Sequence, residues 1–70
     1  MLDVDKLVGA IFAKGYNKSS FAKKMGKKSS WLSRKLKHKN FTLSEADEIT
    51  MTLNLTSEEA TAIFFSQFVA

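Results

Sequence analysis

The chain has 70 residues, no cysteine, no proline and a net charge of +4. That is one domain's worth of sequence with a modest core, and it leaves no room for a cofactor domain or a deep catalytic cleft. Disulfides, thiolate metal sites and cysteine catalysis are excluded, and no apolar run approaches the roughly 18 residues of a membrane span.

The layout of the charge says more than its sum. Residues 18–39 carry Lys18, Lys23, Lys24, Lys27, Lys28, Arg34, Lys35, Lys37 and Lys39 and no acid, whereas residues 40–70 carry Glu45, Asp47, Glu48, Glu58 and Glu59 and no base. A basic stripe on a small fold is the footprint of a phosphate binder; the blander reading is a solvated charged surface. The acidic start Met-Leu-Asp-Val-Asp has no basic leader region, so no signal peptide is expected and the expected compartment is the cytoplasm.

Apolar residues recur at helical spacing throughout, with no period-2 strand. The first helix is expected over about Val4 to Lys14, capped by Asp3, with Val4, Leu7, Val8 and Ile11 on one face and Phe12 beside them. Gly15 would stop it in the left-handed conformation. The second runs about Lys18 to Met25, with Asn17 as cap and Phe21, Ala22 and Met25 inward; Gly26 then permits a tight turn. The third runs about Ser29 to Lys37 on one narrow apolar stripe, Leu32 and Leu36. The fourth runs about Leu43 to Leu53 behind a Thr42–Glu45 capping box, with Leu43, Ala46, Ile49 and Leu53 inward and Asn54 as its stop. The fifth runs about Ser57 to Phe68 behind a second box, Thr56–Glu59, with Leu55 and Ala60 at the staple positions. Phe12, Phe21, Phe41, Phe64 and Phe68 are expected in the core. The fold expected is all-α, a compact five-helix bundle in one domain over residues 1–70.

Asn17 to Lys37 reads as a short helix, a glycine turn and a second short helix with a polar outer face. That is the helix-turn-helix arrangement, whose second helix enters the major groove. Ser29, Ser30, Ser33 and Arg34 are the candidate base-reading residues, since arginine can pair with two acceptors of guanine and serine can donate or accept. Lys18, Lys27, Lys28, Lys35, Lys37 and Lys39 are the candidate phosphate contacts. Phe65 and Val69 are candidates for a protein interface, because they fall partly off the main apolar stripe; Trp31 is open between packing on the sugar–phosphate edge, covering the core and marking a protein interface. His38 stands alone, no His–carboxylate pair is set up for catalysis, and the acids are explained by caps and helix dipoles. No enzyme activity, cofactor or metal is expected.

Residues 15–43, GYNKSSFAKKMGKKSSWLSRKLKHKNFTL, resemble the phage Cro/cI-type helix-turn-helix regulators. FTLSEADEITMTLNLTSEEATAIFF resembles the C-terminal half of the small Cro-like, modulator-of-repression proteins of temperate bacteriophages. Phe-Ala-Lys-Lys-Met-Gly and Leu-Ser-Arg-Lys-Leu are the most specific segments. The resemblance implies a bundle of about five helices in which Ser29, Ser30 and Arg34 read bases and Lys18 and Lys39 touch phosphate. The family usually has an aliphatic residue and then a capping Ser or Thr after the turn glycine; here Lys27 and Lys28 stand there. A later helix start would move Ser29 from base contact to capping. Two functions are expected from this reading. One is a transcriptional regulator of a lysis/lysogeny switch, acting on double-stranded DNA in the bacterial cytoplasm as a homodimer on paired half-sites. The alternative is an anti-repressor or co-repressor that binds the phage repressor protein.

Overall fold

The computed structural model describes residues 2–65, and these form five helices without a strand. They are α1 (Val4–Ala13), α2 (Lys18–Lys24), α3 (Trp31–His38), α4 (Leu43–Thr52) and α5 (Ser57–Phe64). Each start but one carries a side-chain cap that satisfies backbone N–H groups left free in the first turn. Asp3 Oδ1 accepts from the Lys6 N–H at 3.0 Å. Asn17 and Ser20 form a reciprocal box on α2, at 2.7 and 2.9 Å. Thr42–Glu45 and Thr56–Glu59 do the same on α4 and α5. The exception is α3, where Ser30 makes no side-chain cap hydrogen bond.

Three helix ends share one device. The N–H two residues past the cap reaches back five residues: Tyr16 to the Ile11 carbonyl, Lys27 to Ala22 and Leu55 to Thr50, at 2.9–3.1 Å. The residue before each has a positive φ: Gly15 (+89°), Gly26 (+75°) and Asn54 (+53°). This left-handed stop satisfies orphan carbonyls and turns the chain sharply.

The core is built from Leu7 and Ile11 of α1, Phe21 and Ala22 of α2, Leu32 and Leu36 of α3, Ile49 of α4, Leu53 and Leu55 beyond it, and Ile63 and Phe64 of α5. Burial of side chains this size contributes about 1.5–3 kcal/mol each before chain entropy is set against it. α2 packs on α3, and α1 packs on both α2 and α5. The Asp3 N–H donates to the Ile63 carbonyl at 2.7 Å, tying the start of α1 to α5.

Four expectations are corrected. Phe12 is 55% exposed and Leu43 is 76% exposed rather than inward. At 100° per residue Phe12 points about 100° away from Ile11, and Leu43 about 120° from Ile49, so both leave the buried stripe. The third helix begins at Trp31 instead of Ser29, because the Trp31 N–H closes a turn onto the Lys28 carbonyl at 2.9 Å. In addition, α5 ends at Phe64 where a run to Phe68 was expected, with Phe65 as a non-helical cap. Phe68 and Val69 lie outside the described residues.

Candidate nucleic-acid interface

The candidate surface is centred on α3, which is held by few residues. Leu32 and Leu36 are buried, Trp31 and Lys35 are half-buried, and Ser33, Arg34, Lys37 and His38 are exposed. On helical geometry Arg34 points about 180° from the mean direction of Leu32 and Leu36, straight away from the core. Ser33 and Lys37 lie on one flank of it, Trp31 and His38 on the other. Ser29 and Ser30 are exposed in the turn before α3. Thus Ser33 and Arg34 lie on the outer half of α3, whereas Ser29 and Ser30 stand in the turn before it.

The candidate phosphate contacts divide. Lys18 opens α2, Lys27 and Lys28 follow the Gly26 turn, Lys37 is in the last turn of α3 and Lys39 caps it with φ +52°; all five are exposed. Lys27 Nζ lies 5.7 Å from the centroid of the Trp31 ring, a cation–π distance. Lys35 differs: its ammonium donates to Glu45 Oε1 and to the Asn40 carbonyl, both at 3.0 Å. That cation is engaged inside the molecule. Lys23 and Lys24, left out of the sequence-derived set, are exposed in the last turn of α2 and join the same acid-free stretch; the unbroken basic run was the signal that included them.

Trp31 has a packing role. Its ring meets Phe41 edge-on at 6.1 Å, and Phe41 meets Phe64 edge-on at 6.2 Å, a chain of aromatics from α3 to α5. The rest of the Trp31 ring borders a shallow cavity of about 340 Å³ with Arg34, Lys35, His38 and Asn40. Phe65 is 39% exposed and lines two other grooves, with Leu43, Ala46 and Phe64.

Glu45 is the residue whose place sequence reading understated. Besides closing the α4 cap, it holds Lys35. Burial pushes its carboxyl pKa up, but the Thr42 backbone N–H and the Lys35 ammonium outweigh that, and the net shift is downward from 4.5. Among the described residues, no group of three or more acids or histidines could hold a metal ion, and no helix is long and apolar enough to cross a membrane. No known protein family, curated protein or solved structure matches the chain.

Proposed function

We propose that the chain is a DNA-binding regulator in which α2 and α3 act as a helix-turn-helix, α3 reads the major groove, and the flanking lysines hold the phosphates. The observation that carries this reading is the exposure of Arg34 and Ser33 on a helix whose buried residues, Leu32 and Leu36, form one stripe, within an acid-free stretch of nine bases. A helix anchored on one stripe leaves its outer face free for base edges. The exposed Lys18, Lys27, Lys28, Lys37 and Lys39 supply the electrostatic attraction that dominates such binding. Lys35 is assigned a positioning role in place of a phosphate contact, since its ammonium is held by Glu45. The resemblance of residues 15–43 to the phage regulators supports a role in a phage lysis/lysogeny switch, in the cytoplasm of a bacterial host.

The test is selection from random-core duplexes with purified protein at near-physiological salt, followed by sequencing of the retained pool. An enriched motif supports a sequence reader. Retention without enrichment, abolished by salt, overturns it.

The second reading is an anti-repressor or co-repressor that binds the phage repressor protein. It is favoured by the cavity that the Trp31 ring borders with Arg34, Lys35, His38 and Asn40, where an aromatic surface adjoins the cationic one. An exposed tryptophan face suits a protein side chain better than a phosphate. Loss of repressor binding in Trp31→Ala, with DNA selection unchanged in that variant, would favour this reading.

A further inference from the structure

Trp31, Arg34, Lys35 and His38 follow one another at the i, i+3, i+4, i+7 spacing of a single helix face. With Asn40 they line the shallow cavity of about 340 Å³, near the low end of small-ligand sites at roughly 300–1,000 Å³. Its chemistry is mixed. Trp31 offers an aromatic surface, and the edge contact to Phe41 already holds the ring, which lowers the ordering cost of binding. Lys35 is neutralised by Glu45. Arg34 makes no ion pair among the described residues and is the cavity's uncommitted permanent charge. The Asn40 backbone is fixed from both sides: its N–H donates to the Lys35 carbonyl at 3.3 Å, and its carbonyl accepts from the Lys35 ammonium at 3.0 Å. Its exposed side-chain amide adds a donor and an acceptor.

We propose that this cavity binds an unpaired nucleotide within a single strand of nucleic acid, with the base stacked on the Trp31 ring, a phosphate on Arg34 and the base edge met by the Asn40 amide. An aromatic ring beside a cation is the pairing that single-strand binding uses, because every base has a π-face and every phosphate needs a positive partner. A duplex cannot use the ring in this way without extruding a base, since its base faces are covered by their neighbours. Lys27 favours a strand over a free nucleotide. Its ammonium lies 5.7 Å from the Trp31 ring centroid, yet Lys27 is not part of the cavity lining. The ring therefore adjoins two cations, Lys27 and Arg34, as an internal nucleotide adjoins two phosphates. A cation–π contact at an exposed site is weaker than base stacking, so Lys27 yields the ring to a base and keeps its charge for the phosphate. DNA and RNA strands share this chemistry. The binding goes beyond the duplex reading, in which Trp31 has no part, and the two ligands compete for Arg34.

Trp31 is the single tryptophan of the chain, so its fluorescence reports the site directly. The full chain is titrated at low salt with a short thymidine oligonucleotide, its uridine RNA counterpart, and an abasic deoxyribose-phosphate strand of equal length and charge. The expected result is quenching of Trp31 by a base-bearing strand, with affinity roughly tenfold or more above that of the abasic strand. Quenching by both base-bearing strands assigns DNA and RNA alike to the site, and quenching by one of them names the source. Trp31→Leu, followed by the anisotropy of a labelled strand, should erase the preference over the abasic strand. Trp31→Phe should keep most of it, since a π-face remains. Circular dichroism checks the fold of both variants, and the comparison of base-bearing with abasic strands on the unaltered chain stands even where the leucine variant unfolds. Equal affinity for base-bearing and abasic strands, with the emission unmoved, overturns the proposal: the cations alone then hold the strand, and the ring is left to a protein side chain. A preference that survives in folded Trp31→Leu overturns it as well. None of these outcomes depends on enrichment of a duplex motif, so failure here and failure of the duplex reading are told apart.

Discussion

Lys35 and Glu45, ten residues apart, meet across the α3–α4 corner with Nζ 3.0 Å from Oε1. The same Oε1 accepts the Thr42 N–H at 2.8 Å, and the same ammonium donates to the Asn40 carbonyl. One carboxylate thus closes the cap of α4 and fixes the helix that precedes it. The side chains are only 24% and 16% exposed, so this pair is better shielded from salt than an ordinary surface bridge.

Stability should fall in acid through this carboxylate. Its folded pKa lies below the ordinary 4.5, so its contribution is complete above 4.5 and is lost as pH drops through the lower folded value. Glu59 is shifted the same way, by the Thr56 backbone N–H first and the Thr56 hydroxyl second. Denaturant midpoints measured from pH 7 down to pH 3 should decline most steeply below 4.5. Glu45→Gln should flatten part of that slope and cost about 0.5–1 kcal/mol at pH 7. An unchanged slope in the variant would contradict the assignment.

Lysines 35 and 37 are neighbours with opposite assignments. If α3 docks on DNA, Lys37→Ala should reduce the salt-dependence slope of binding by about 1 and weaken all sequences alike. Lys35→Ala should leave the slope unchanged and instead lower the melting temperature. Titrations by fluorescence anisotropy at several salt concentrations distinguish the two, and equal slope changes would place Lys35 among the phosphate contacts after all.

Arg34→Ala should cost about 1–3 kcal/mol on the selected site and relax its specificity. Because Arg34 is exposed and makes no ion pair among the described residues, thermal stability should hold. Equal losses on selected and random duplexes would remove its reading role.

Two glycines should respond to alanine in opposite directions. Gly9 sits inside α1 with open space where a Cβ would be, so Gly9→Ala should stabilise by about 0.5–1 kcal/mol. Gly26 also has open space but a φ of +75°, so Gly26→Ala should destabilise by about 1–2 kcal/mol through the left-handed conformation alone. Thermal melts followed by circular dichroism would show the sign of each.

The legible parts of this molecule are those written in short-range chemistry. The caps at Asp3, Asn17, Thr42 and Thr56 and the stops at Gly15 and Asn54 follow from hydrogen bonds spanning three to five residues, and residue type alone selects for them. Leu7, Ile11, Phe21, Leu32, Leu36 and Ile49 were recognisable as core because each repeats its neighbour's direction at helical spacing. Phe12 and Leu43 were misplaced because an apolar residue at the edge of a stripe carries no local sign of which way it faces.

The amino-acid sequence by itself determined five helices, where most begin and end, and a basic half set against an acidic half, because each depends on neighbours along the chain. Tertiary structure alone decided that Lys35 turns inward to Glu45, that Ser29 and Ser30 stand before α3, that Trp31 rests on Phe41, and that Leu43 and Phe65 share one apolar strip. The Lys35–Glu45, Trp31–Phe41 and Leu43–Phe65 relationships join residues ten or more positions apart, and the start of α3 is set by a turn whose serines could equally have capped it. Distance and direction between packed helices choose among such alternatives, and neither is encoded in local spacing.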